Sequence, residues 1–168
     1  MKLETSNLEH LGIKHSQNDL DFSITLGQAH YAAQLREISM GIVKRSDPEA
    51  TVLTDLHVSF RSLLGAVVWM TQTRADIIVY VPALQRVMAE PRNKHAIALN
   101  KVLRYIKRKP LTVTYKAVQN PWKLLLISDS AFKSEDQDCL AMRSGIIALG
   151  DKGPVGTAAS GGAQIWSV

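Results

Sequence analysis

Polar and apolar residues alternate from Asp21 to Leu26, with Phe22, Ile24 and Leu26 on one side of an extended chain and Asp21, Ser23 and Thr25 on the other. With Leu11–His15 as the partner arm and SQND as the turn, this predicts a hairpin that buries one face. From Gln28 to Met40 the period lengthens. Tyr31, Leu35 and Ile38 fall at helical spacing, and Gly41 supplies a stop. Ile42–His57 shows no period and reads as a loop. The run FRSLLGAVVWMTQT that follows Ser59 is apolar nearly all round, which suits a helix buried in a bundle. Asp76 is placed to cap a second helix over Ile77–Ala89, with Pro82 either bending it or moving its start. After the break at Glu90–Asn93 comes a third helix, Lys94–Lys107. At roughly 100° per residue its Leu99, Val102, Leu103 and Ile106 share an arc of about 100°, and Lys94, Lys101, Arg104 and Arg108 share one of about 80° on the other side.

Past Pro110 the period becomes that of strands. LTVTYKAV, the turn QNPW, KLLLISDSAF, RSGIIALG and AQIWSV predict three or four short strands with no crossover helix among them, hence an antiparallel sheet. The expected fold class is therefore α+β: an N-terminal hairpin and helix, a central segment of two to three helices, and a C-terminal antiparallel sheet of three or four strands. Boundaries fall at residues 1–58, 59–109 and 110–168. The strands also suggest that LTVTYKAV folds back through QNPW to cover the edge of the strand at Leu124–Ile127.

Charge changes this picture by its position rather than its sum. The chain of 168 residues has a net charge of +5, yet residues 61–109 carry ten Lys and Arg against two Asp and Glu, while 1–60 carry five against eight and 110–168 five against five. No acid occurs between Pro91 and Gln119. The cationic side of the third helix is open to two readings, a solvated face above a core stripe or a surface that meets phosphates. The 46% hydrophobic content points to a packed globular protein. The lone Cys139 excludes an internal disulfide and favours a reducing compartment, cytoplasmic or nuclear, over secretion. The first residues lack the apolar core of a signal peptide, and LLGAVVWM and IIVYVPAL are too short to span a bilayer, so no membrane partner is expected.

Candidate chemistry is sparse. Asp129 sits at the end of the apolar strand LLLI, where a carboxylate faces either a turn or a cleft. Glu135, Asp136 and Asp138 lie close together but read as a solvated loop. The five histidines are scattered, and no CxxC, HExxH, GxSxG or GxGxxG pattern appears.

Taken in order, the motifs resemble the polyprotein of copia-type retrotransposons at the junction of reverse transcriptase and ribonuclease H. HLGIKH and ITLGQAHYAAQL echo the family's FLGI and ITLSQ segments, and FRSLLGAVVWMTQTRADI echoes its YRSLVGSLLYL…TRPDI, with Ala75 where proline is usual. Pro91, His95 and KVLRYIKRKP echo its P…H…A…VLRYLKGT, and SDSAF, RSGIIALG and IWSV echo SDADWA, RSTSGYVFLLG and SW. The resemblance covers almost the whole chain. It implies the end of a reverse transcriptase over 1–58, a thumb-like or connecting helical segment over 59–109, and truncated ribonuclease H-like strands over 110–168.

The resemblance further implies that Asp129 matches the first ribonuclease H aspartate and would be that family's metal ligand if other acids completed the site. The family's catalytic glutamate, its later aspartate and the polymerase's aspartate pair have no counterpart here. The intact family uses magnesium, and none is expected to be bound by this segment alone. Lys94, Lys101, Arg104 and Arg108 become the candidates for contacts to an RNA–DNA hybrid or DNA duplex, with the rest of the polyprotein as a further partner. Two other readings stay open: a ribonuclease H completed by another chain, and a repurposed interaction module that self-associates through the apolar helix at Leu63–Met70.

Overall fold

The computed structural model describes residues 7–41, 47–51, 54–118, 123–131, 142–150 and 163–167. Their architecture is α+β, with antiparallel pairing in the strand ladders. Tertiary contacts form two compact units, one of residues 1–16 with 25–113 and one of residues 17–24 with 114–168.

The chain opens with a hairpin that precedes the expected one. Strand β1 (Asn7–His10) pairs with β2 (Ile13–Gln17), His10 opposite Ile13, around a two-residue turn at Leu11 and Gly12. Both turn residues have positive φ, 50° and 77°, as the primed hairpin turns require. Gly12 is needed for a second reason: a Cβ there would lie 2.8 Å from the Tyr31 ring. The expected arms, Leu11–His15 and Asp21–Leu26, correspond to β2 and β3 (Ile24–Gly27), which are neighbours in a sheet of order β1-β2-β3-β4. Their connection closes with the Asn18 N–H donating to Ser23 O at 2.9 Å and with Asp21 accepting from the Ser23 hydroxyl at 2.7 Å. The alternation does not mark a buried face here: Phe22 is 65% exposed, Ile24 is exposed too, and Phe22 takes a positive φ. Strand β4 (Thr112–Tyr115) completes this sheet. That overturns the expectation that LTVTYKAV covers the edge at Leu124–Ile127.

Helix α1 is shorter than its apolar spacing implies, running only over Ala29–Gln34. Leu35 turns extended at ψ 141°, and the chain leaves the helix there; beyond it Ile38 and Met40 are buried on either side of exposed Ser39. The physical reason lies on another helix. Asn100, buried among leucines, accepts from the Ile38 N–H at 2.8 Å and donates to the Ile38 carbonyl at 2.9 Å, so one side chain does what a neighbouring strand would do. Lys107 closes the end of α1, donating to Leu35 O at 2.5 Å and to Ala33 O at 3.5 Å, where the helix leaves partial negative charge.

Helix α2 (Thr54–Met70) begins inside the stretch expected to be a loop. It buries one stripe, Phe60, Leu63, Leu64, Val67 and Met70, while Val58, Arg61 and Gly65 are exposed, so it is amphipathic rather than buried all round. The Leu63–Met70 stripe expected to be a partner surface is thus consumed by the protein's own core. Trp69 donates from Nε1 to Leu11 O at 3.0 Å and ties the first turn to this helix.

The second expected helix divides. A 3₁₀ turn spans Ala75–Ile77, and α3 runs only over Val81–Arg86 with Pro82 in its first turn. Proline has no N–H to give, so it sets the start of the helix rather than bending its middle. Asp76 makes no capping bond at this turn. It takes a bidentate pair from Arg74 instead, Nε to Oδ1 at 2.8 Å and Nη2 to Oδ2 at 2.8 Å.

Helix α4 (Asn93–Arg108) lies within about a residue of its expected span. Ala96, Leu99, Leu103 and Ile106 are at most 1% exposed and form the centre of a core shared with Ala32, Ile38, Phe60, Leu64, Val67 and Ile77. Each of the leucine, isoleucine, valine and phenylalanine side chains among them contributes about 1.5–3 kcal/mol by leaving water. The hairpin-and-helix segment and the central helices therefore share one hydrophobic core.

In the second unit β5 (Lys123–Ala131), β6 (Met142–Gly150) and β7 (Ala163–Ser167) form a three-stranded antiparallel sheet in that order, as the C-terminal pattern predicts. Leu124 and Leu126, two residues apart on one face, are 72% and 67% exposed.

Candidate nucleic-acid interface

The exposed side of α4 is where chemistry gathers. Its helical period places Lys94, Tyr105, Lys101 and Arg108 on one strip, with Arg104 at its margin. The N-terminal end is fixed from a distance: Lys94 N–H donates to Pro48 O and Asn93 N–H to Ala50 O, both at 2.9 Å, and the buried Asn93 amide donates to Asp47 O at 2.8 Å. His95 Nδ1 accepts from the Arg92 N–H at 3.0 Å, giving one orphan donor at the helix start a partner. Partial burial, with Lys94 and Arg92 nearby, lowers the His95 pKa and favours the neutral ring that this bond requires.

The cations are not equal. Lys94 donates to both oxygens of Glu49, at 2.9 and 3.1 Å, and Arg92 donates to the same carboxylate at 2.6 Å. Those hydrogen bonds, Lys94 first, hold the Glu49 carboxyl below its ordinary range. Arg104 donates to Glu37 at 2.8 Å. Lys101 and Arg108 are exposed and have no acidic partner among the described residues. The acid-free stretch from Pro91 to Gln119 is therefore not acid-free in space. Glu37 and Glu49 come from parts of the chain that helical arithmetic does not see.

The C-terminal end of α4 rests on Arg74, which is 2% exposed. Besides its pair with Asp76, its Nη1 donates to Lys109 O at 2.9 Å and Ile106 O at 3.3 Å, capping carbonyls the helix leaves open. Tyr105 joins this cluster. The Arg74 guanidinium lies 5.6 Å from its ring centre and the Lys109 ammonium 5.7 Å. Arg74 lowers the Asp76 pKa, while the neighbouring Asp76 carboxylate raises that of Tyr105. Sequence reading passed over Arg74 and Tyr105. An arginine two residues before an aspartate, and a tyrosine amid lysines on a helix face, are the signals that mark them.

Asp129 lies in β5 with Ser144 opposite it in β6. Glu135, Asp136, Asp138 and Cys139 lie outside the described residues. Among the described residues no three His, Cys, Asp or Glu side chains come together as a metal site needs. Likewise no described helix is long and apolar enough to cross a membrane.

Comparisons with protein-family models, with curated proteins and with solved structures find no match.

Proposed function

We propose that the chain is a segment of a copia-type retrotransposon polyprotein, from the junction of reverse transcriptase and ribonuclease H, and that it holds nucleic acid without acting as a catalyst by itself. The ordered motifs support the family reading, and the exposed, acid-free cations Lys101 and Arg108 on α4 carry the binding reading. Phosphate contacts from such a face position a duplex without reading its sequence. Lys94 and Arg104 take part only by exchanging a carboxylate for a phosphate, so they contribute less than their place on the helix suggests. The three-stranded sheet with Asp129 in its first strand is what the start of a ribonuclease H-like domain would supply, and Asp129 is its one matched acid. Cytoplasm or nucleus is the matching location, and the RNA–DNA hybrid the matching partner.

Fluorescence anisotropy of a labelled RNA–DNA hybrid across a salt series tests this. Each of Lys101→Ala and Arg108→Ala should lower the slope of log affinity against log salt by about one unit, Lys94→Ala and Arg104→Ala by less. A chain with no salt-dependent affinity, or a fourfold alanine variant that binds as tightly as the original, overturns the proposal.

Exposed Leu124 and Leu126 favour a second reading, in which the β5 to β7 sheet docks against the rest of the polyprotein or a second copy. A mass by light scattering that stays monomeric and unchanged by Leu126→Lys argues against self-association.

A further inference from the structure

Beside the basic strip of α4 lies a groove that phosphate contacts alone do not explain. It encloses about 540 Å³ between the segment from Asp76 to Leu84 and the outer side of α4. That volume sits inside the roughly 300–1,000 Å³ range of small-ligand sites and is too small for a duplex. Its walls are apolar, with Val79, Ala83 and Val102 along the sides, Tyr80 at the lip and Tyr105 on the α4 wall. Tyr80 is 54% exposed, an aromatic face open to solvent.

Two ionised groups border the groove, and they differ. Asp76 is already neutralised by the bidentate pair from buried Arg74, so it presents little free charge. Lys101 is exposed with no acidic partner among the described residues. The complementary ligand therefore has a flat, largely apolar body and an anionic group a few ångströms away. Lys101 also belongs to the cationic strip, which continues the groove toward Arg108 and Lys109.

We infer that this groove seats one unpaired nucleotide of a nucleic-acid strand, its base stacked on Tyr80 and its phosphate at Lys101. The inference rests on the nucleic-acid reading of α4 and adds to it a preference for single-stranded ends or overhangs over blunt duplex. Stacking on an aromatic side chain tolerates every base, so the seat selects for unpairedness rather than sequence.

The test uses the full chain with two probes: a short single-stranded DNA carrying one 2-aminopurine, whose fluorescence is quenched by stacking, and a blunt RNA–DNA hybrid. The expected result is quenching by the original chain, with about tenfold weaker single-strand binding and no quenching for Tyr80→Leu. The blunt-hybrid affinity and salt slope should not change. Ala83→Trp, an exposed position that can accept a larger side chain without disturbing the core, should fill the groove and act like Tyr80→Leu.

Hybrid binding with a normal salt slope, but single-strand affinity unaltered by both variants, overturns the groove while leaving the α4 face intact. Absence of hybrid binding overturns the proposed function, and quenching of the single strand then still decides the groove. A change of molecular mass on Ala83→Trp shows that a second copy or a peptide segment fills the groove, which also overturns the inference.

Discussion

Replacing Asn100 with leucine keeps the side-chain volume nearly constant and deletes both hydrogen bonds to Ile38. Asn100 and Ile38 are each 5% exposed, so neither backbone group of Ile38 can turn to water instead. A stranded buried polar group costs about 1–3 kcal/mol, and the added apolar burial of leucine offsets about 1–2 kcal/mol. With both backbone groups of Ile38 stranded, the expected net loss is about 1–4 kcal/mol, a large share of the roughly 5–15 kcal/mol of a typical domain. Urea unfolding followed by circular dichroism measures the loss, and amide exchange at Ile38 locates it. Asn100→Asp separates hydrogen bonding from packing. Burial raises the folded-state pKa of the new carboxyl above its unfolded value, so that variant is best tolerated below the unfolded pKa and loses stability as pH rises through the folded one. A leucine variant within about 0.5 kcal/mol of the original, or an Ile38 amide that exchanges no faster, would show that Asn100 does not hold the extended segment.

Three further outcomes follow from named contacts. Gly12→Ala should destabilise by more than the roughly 1 kcal/mol of positive φ alone, because its Cβ meets Tyr31 at 2.8 Å, while Leu11→Asn at φ 50° should stabilise; thermal melts of both variants read the pair. The lowered His95 pKa means stability present above the unfolded value and lost as pH falls through the folded one. His95→Gln keeps an acceptor for the Arg92 N–H without titrating, so the urea midpoint should drop less for this variant than for the original between about pH 7 and pH 5. The double variant Glu37→Gln, Glu49→Gln frees Lys94 and Arg104, and hybrid titrations should show tighter binding and a salt slope steeper by up to about two units. An unchanged slope would mean that those cations never meet phosphate.

Legibility varied with the range of the forces involved. Helix α4 was readable because its core stripe repeats every three or four residues and each member of it is buried by the same event. The β5, β6 and β7 strands were readable from period and glycine-bearing connections, whereas the destination of LTVTYKAV was not, since a strand's own pattern does not name its neighbour. Helix α1 was overextended because Ile38 fits a helical period with Leu35 and a strand-like period with Met40, and the deciding partner, Asn100, is 62 residues away. Asn100 lies about 60° outside the apolar arc of α4, on the side of Arg104, so the helical pattern did not mark it as buried. Pro82 allowed two outcomes in sequence, and packing selected the later helix start.

The cationic strip shows the same division at the candidate site. Sequence by itself determined that Lys94, Lys101, Arg104 and Arg108 share a helix side, because the rotation per residue is a property of the backbone. Only the tertiary structure decided which of them stay uncompensated. Glu49 reaches Lys94 across 45 residues and Glu37 reaches Arg104 across 67, and the buried Arg74 neutralises Asp76 beside the groove. Coulomb attraction acts through space and falls with distance, so a chain's local charge tally fixes the supply of cations while the fold fixes which of them still face solvent unpaired.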